Sequence, residues 1–231
     1  HRVDRRQRQM CIRDRLGCAY ADGCFTAEEM ILSSYSRGMA SIETKVVLGS
    51  MAAVGLGYKE LSLIVPEGVA IACHNSADSS TISGPVELIS QFVGKLKSQN
   101  YFAKEVACSN IPYHSKYIAD MGPRLLGRLS EILKTPKPRS SRWISSSVPR
   151  ENWDKIEAQY SSAHYHTNNL LNSVLFEEAS VLLPKDAITI EIAPHGLLQA
   201  ILKGSLSNAV NIPLTKRGQP NTLFLLNALG K

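Results

Sequence analysis

Between Ser50 and Cys108 six short segments follow one another, and their order limits the fold more than any other feature of the chain. "SMAAVGL" (50–56) reads as a strand, "YKELSLIV" (58–65) as a short helix, "GVAIACHN" (68–75) as a strand and "SSTISG" (79–84) as another, stopped by Gly84 and Pro85. Pro85 then opens "PVELISQFVGKLKSQN", which places Val86, Ile89, Val93 and Leu96 on one helical face. "YFAKEVAC" (101–108) returns as a strand. Strand, helix, strand, strand, helix, strand is the split βαβ order, the ferredoxin-like pattern. Residues 50–108 are therefore expected to form a subdomain.

The flanking segments alternate helix and strand. Thr26 followed by Glu29 is a capping box, and a helix is expected from there past Arg37. Residues 115–134 read as a long helix with Ile118, Leu125, Leu129 and Ile132 facing inward and a bend at Pro123. "WISSSV" reads as a strand, Asn168 to Leu183 as helical, and "AITIEIA" (187–193) as a buried parallel strand leading through Pro194, His195 and Gly196 into a helix. One more strand and helix close the chain. This alternation favours an open parallel sheet with helices on both faces, an α/β class.

Composition narrows the function. At 231 residues, 44% hydrophobic and 20% charged, the chain can bury a sizeable core, and no apolar run approaches the roughly 20 residues of a membrane helix. The five cysteines, Cys11, Cys18, Cys24, Cys73 and Cys108, show no paired short spacing, which argues for reduced thiols in a cytoplasmic protein rather than a disulfide framework or a metal knuckle. The net charge of +6 invites a nucleic-acid reading. However, most of it sits in "HRVDRRQRQMCIRDR", residues 1–15, and the remainder carries no basic stripe, so neither nucleic acid nor membrane is an expected partner.

General acid–base chemistry directs attention to the histidines. His74 follows a strand, and His195 lies at a strand-to-helix turn. His164 and His166 form an i, i+2 pair that lacks a third ligand for a metal. His114, in "NIPYHSKYI", sits between a strand and a helix, where open α/β sheets place functional groups. Spacing alone leaves it either catalytic or structural. Arg37 beside Gly38 is either a solvated side chain or a two-pronged partner for a carboxylate. No phosphate loop or Gly-x-Ser-x-Gly elbow is present.

From Leu16 onward the segments "LGCAYADGCFTAEEMILSSYSRG", "ACHNSADSSTISGP", "PYHSKYI", "KPRSSRWISSSVP", "NNLLNSVLFEEA" and "EIAPHGLLQAILK" resemble, in order and spacing, the malonyl/acetyl acyltransferase domain of animal, insect-like type I fatty acid synthases. The resemblance implies an α/β-hydrolase-like acyltransferase core, here residues 16–49 and 109–231, carrying the ferredoxin-like subdomain 50–108. It implies no bound cofactor. Malonyl-CoA and acetyl-CoA are the substrates, and the phosphopantetheine thiol of an acyl carrier protein is the acceptor. Neighbouring synthase domains are further partners, and the parent protein is a homodimer. By the same resemblance His114 is the general base and acid, the backbone carbonyl of Asn169 orients its ring, and Arg37 clasps the malonyl carboxylate. Ser173 departs from a proline in that pattern.

The pattern's nucleophile lies in a Gly-His-Ser-x-Gly-Glu elbow, and counting back without a gap places that serine at Ile12. Isoleucine has no hydroxyl proton to lose, so the nucleophilic serine is absent and the chain is expected to be inactive alone. Residues 1–15 are expected to be a non-native basic arm on a truncated domain whose exposed strand edges favour aggregation. A polyketide synthase acyltransferase fragment and a non-catalytic module that docks a carrier protein are the alternatives.

Overall fold

The computed structural model describes residues 14–230. The arm expected over residues 1–15, with Ile12 inside it, falls outside the described residues apart from the backbone of positions 14 and 15. Two compact units divide the chain between Phe176 and Glu177.

In the first unit, α1 (Asp14–Ala21) and α2 (Ala27–Glu43) are followed by β1 (Gly49–Val54), α3 (Tyr58–Leu61), β2 (Ala70–Ser76), β3 (Ser79–Pro85), α4 (Val86–Ser98) and β4 (Ala103–Val106). Then come α5 (Met121–Ile132), β5 (Lys137–Pro138), α6 (Ile156–Gln159), β6 (Tyr160–Ser161), α7 (Ala163–Leu171) and β7 (Val174–Leu175), with α8 (Phe176–Ser180) at the division. The main sheet runs β4-β1-β3-β2-β7, and its first four strands are antiparallel neighbours in the split βαβ order. Alternation along β1 sends Ala52 and Val54 toward α3 and α4, where Leu61, Ile89, Phe92 and Leu96 fill the core. Met51 faces the other way, with Cys73, Cys108 and Val174. The capping box forms as read: Thr26 Oγ1 accepts from Glu29 N at 3.1 Å, and Thr26 N donates to Glu29 Oε2 at 2.7 Å. A separate helical core gathers Leu16, Ala40, Met121, Leu125 and Leu170 from α1, α2, α5 and α7, with Phe25 from the connection between α1 and α2.

Several expectations are corrected. The helix foreseen over 115–134 is a 3₁₀ turn, Lys116–Ile118, followed by α5, and Pro123 makes no bend because it lies in the first turn of α5, where amides lack helical partners anyway. "WISSSV" is an irregular segment held by side-chain bonds, including Ser145 Oγ with Tyr165 OH at 2.7 Å. The stretch read as helical from Asn168 breaks at Asn172, where β7 pairs parallel with β2.

The second unit holds β8 (Ile188–Glu191), α9 (Gln199–Ser205), β9 (Val210–Pro213) and α10 (Asn221–Leu229). β8 and β9 do pair in parallel, but only with each other, so among the described residues the expected open parallel sheet is replaced by this pair and the short β2–β7 pairing. Nor is β8 buried: Ile188 and Ile190 remain 70% and 57% exposed, and Ile192 just after it 77%. Glu191 alone of this strand is buried, and its carboxylate accepts from Leu197 N, Leu198 N and Gln199 Nε2 at 2.7–2.9 Å, closing the turn before α9. Among the described residues no helix is long and apolar enough to cross a membrane.

Candidate active site

His114 is buried and carries φ +59°, a left-handed conformation costly to a residue with a Cβ. Its loop is pinned from below. Gly49 N donates to Asn110 O at 2.9 Å, and a Cβ on Gly49 would come within 2.4 Å of Pro112 Cδ, so only glycine lets β1 approach this loop. Ser115 Oγ donates to Pro112 O at 2.5 Å and fixes the other side of the turn.

The ring's Nδ1 lies 2.8 Å from the carbonyl of Asn172. A carbonyl only accepts, so Nδ1 carries the proton and a neutral ring keeps its lone pair on Nε2. Nε2 is buried and meets no hydrogen-bond partner among the described residues. The resemblance implies the carbonyl of Asn169 as the acceptor, and the geometry corrects this. Asn169 lies within α7, whereas Asn172 follows the last turn in an extended conformation that turns its carbonyl out of the helical ladder.

Asn169 has a different part. Its Oδ1 accepts from Arg37 Nη1 at 3.1 Å, and its Nδ2 donates to Ser147 Oγ at 2.7 Å. Asn168 Nδ2 donates to the Ser147 carbonyl at 3.1 Å, and Asn172 Nδ2 donates to Asn168 Oδ1 at 2.8 Å. Ser173, the departure from proline, donates its hydroxyl to Ile71 O at 2.8 Å and ties the segment after Asn172 to β2. Ser147 and Asn172 escape a reading of the sequence because one acts from an irregular segment and the other through its backbone. The polar run at the end of α7 is the signal available.

Arg37, buried on α2, lines a cavity of about 790 Å³ together with Leu16, Gly38, Lys45, Tyr113 and Leu170. Tyr113, the neighbour of His114, reaches Ser41 Oγ with its hydroxyl at 3.3 Å. Leu16 belongs to the first turn of α1, so this cavity brings together the start of α1, the carboxylate-matching arginine and the residue preceding the histidine.

The other histidines serve elsewhere. His74 stacks on Tyr58 with ring centroids 3.8 Å apart, and His195 Nδ1 accepts from Arg217 N at 3.3 Å. On α7, positions two apart point to different faces: His164 is exposed, whereas buried His166 meets Ser161 Oγ at 2.8 Å, so the pair cannot chelate. Among the described residues no group of three or more His, Cys, Asp or Glu side chains is arranged to hold a metal ion.

Residues 15–231 match the family described as the acyl transferase domain. A highly reducing polyketide synthase of a Fusarium species is 32% identical over 225 residues, covering 93% of this chain and 9% of that protein. Another from Aspergillus sclerotiorum is 32% identical over 198 residues, covering 81% of this chain and 8% of its own length. The chain thus spans less than a tenth of these relatives. Among solved structures, the loading acyltransferase of the avermectin modular polyketide synthase superposes with a TM-score of 0.81 at 21% identity, covering 95% of this chain and 70% of that one. The acyltransferase domain of salinomycin synthase module 8 gives 0.80 at 18%, covering 93% and 51%. These structures share the fold, an acyltransferase core with a small subdomain, and the Fusarium and Aspergillus relatives are polyketide synthases, whereas the segments resemble animal fatty acid synthases. The chain belongs to the acyl transferase domain family.

Proposed function

We propose that this chain supplies the base and the carboxylate clasp of an acyltransferase that moves malonyl or acetyl groups from coenzyme A to the phosphopantetheine thiol of an acyl carrier protein, within a multidomain synthase. The observation that carries this reading is the Nδ1–H of His114 held by the Asn172 carbonyl, which leaves Nε2 as a buried lone pair. Nε2 takes the proton of a serine hydroxyl as its oxygen attacks the thioester carbonyl. The C–S bond then breaks, and the departing thiolate recovers that proton as free coenzyme A. In the second half, Nε2 deprotonates the carrier's thiol, sulfur attacks the serine ester, and the serine oxygen leaves with the proton.

The resemblance puts that serine at position 12 of the sequence, and Leu16 of α1 lines the same cavity as Arg37 and Tyr113. Ile12 occupies the position in this sequence. The test restores the elbow by Met10→Gly, Cys11→His, Ile12→Ser, Asp14→Gly and Arg15→Glu, then incubates the chain with malonyl-CoA. Intact mass should rise by one malonyl group, and His114→Ala on that background should abolish the gain. A gain that survives His114→Ala overturns the assignment.

The sequence relatives support a polyketide type of synthase, whereas "YADGC" and "PYHS" support the fatty acid type. Competition between malonyl-CoA and methylmalonyl-CoA separates them, since a methylmalonyl preference opposes the fatty acid reading. Ile12 favours a second function, carrier docking without catalysis. The unaltered chain would then bind a carrier protein yet take up no acyl group.

A further inference from the structure

Five hydrogen bonds lead from the Arg37 guanidinium to the His114 ring, and their directions are forced by chemistry. A guanidinium only donates, so Asn169 must turn Oδ1 toward Arg37 (3.1 Å) and Nδ2 toward Ser147 Oγ (2.7 Å). At the far end, His114 Nδ1–H donates to the Asn172 carbonyl (2.8 Å). The Asn172 side chain donates to Asn168 Oδ1 (2.8 Å), and Asn168 Nδ2 donates to the Ser147 carbonyl (3.1 Å). Two relays of donors thus converge on the two oxygens of one residue in an irregular segment. Arg37, Asn169, Ser147 and His114 are buried, so water offers these groups little substitute when one of them moves; Asn168 is half-buried and Asn172 exposed, and the Asn172 side chain is held there by a second bond, to the Asn168 carbonyl at 3.2 Å.

We propose that Ser147 is a positioning residue that couples carboxylate recognition at Arg37 to the orientation of His114, so that a malonyl group registers at the base and an acetyl group does not. This rests on the roles of Arg37 and His114 proposed above. A carboxylate that draws the guanidinium toward itself weakens its donation to Asn169. The amide then relaxes its hold on Ser147 Oγ, and the shift of Ser147 passes through Asn168 to the segment whose carbonyl aims the imidazole.

The test uses the unaltered chain, ¹⁵N-labelled, with long-range imidazole spectra recorded during titration by malonyl-CoA or acetyl-CoA and affinities measured by calorimetry. Malonyl-CoA should move the His114 ring signals and acetyl-CoA should move them less. Ser147→Ala removes the hydroxyl arm and keeps the backbone carbonyl; it should erase that difference and cut the malonyl-over-acetyl preference by about fivefold, the scale of one net hydrogen bond. Ser147→Thr should restore both. Asn168→Ala severs the histidine arm and should abolish the ring response; if Ser147→Ala does not fold, this variant decides. A ring response surviving in Asn168→Ala, or an equal loss of affinity for both thioesters in Ser147→Ala, overturns the proposal. Preference lost in Arg37→Ala but kept in Ser147→Ala sinks the coupling and leaves the clasp. Preference kept in Arg37→Ala sinks the clasp, and the coupling with it.

Discussion

Asn169 Oδ1 fixes the aim of Arg37 Nη1, so under the proposed reading the guanidinium is oriented before a carboxylate arrives. Arg37→Ala should raise the dissociation constant for malonyl-CoA about 10- to 100-fold, from the ~1.5–3 kcal/mol of a hydrogen bond to a charged group, with little change for acetyl-CoA by calorimetry. Residue type makes Arg37 and His114 candidates in the sequence but leaves each open between a functional and a structural part, and only the family resemblance singles them out. Asn172 stays hidden because every residue offers a backbone carbonyl, and which one turns toward the ring depends on where α7 ends. Asp22 makes a separate statement about acid. Partial burial pushes its carboxyl up, but bonds from the Ser140 hydroxyl and amide, with Cys24 and Arg142 adding to them, hold it below the usual 3.8. A depressed folded pKa stabilises the fold above about 4, and that contribution is lost as pH falls through the folded value. In urea titrations between pH 5 and 2, Asp22→Asn should therefore be less stable than wild type at pH 5, with the gap closing toward pH 2.

At the scale of elements, two glycines should respond in opposite directions. Gly94 is an exposed interior position of α4, and a methyl group added there would meet no atom within 4 Å, so Gly94→Ala should raise stability by about 0.5–1 kcal/mol in denaturant melts. Gly49→Ala drives a methyl into Pro112 and should lower stability while disturbing the His114 ring signals, because Pro112 begins the turn that carries the histidine. The split βαβ segment is readable because its strands and helices have their own periods and Gly55, Gly68, Gly84 and Pro85 mark several of the boundaries between them. "WISSSV" misleads because β-branched and aromatic residues favour strands only where a partner strand exists, and here the serines bond to α7 instead. In β8 the apolar run correctly announces a parallel strand. Its burial depends on what covers it, which a run of isoleucines does not specify.

Across the whole molecule, order should be unequal. The five-stranded sheet is packed on both faces, whereas β8 and β9 form a two-stranded ladder, an arrangement of marginal independent stability. Hydrogen exchange should accordingly release the amides of residues 188–191 and 210–213 well before those of β1 and β3. Equal protection in both would contradict this. The open isoleucines of β8 also set how the chain behaves in a tube: sulfate, which strengthens the withdrawal of apolar surface from water, should precipitate it at lower concentration than chloride does, and Ile190→Lys should push that threshold upward.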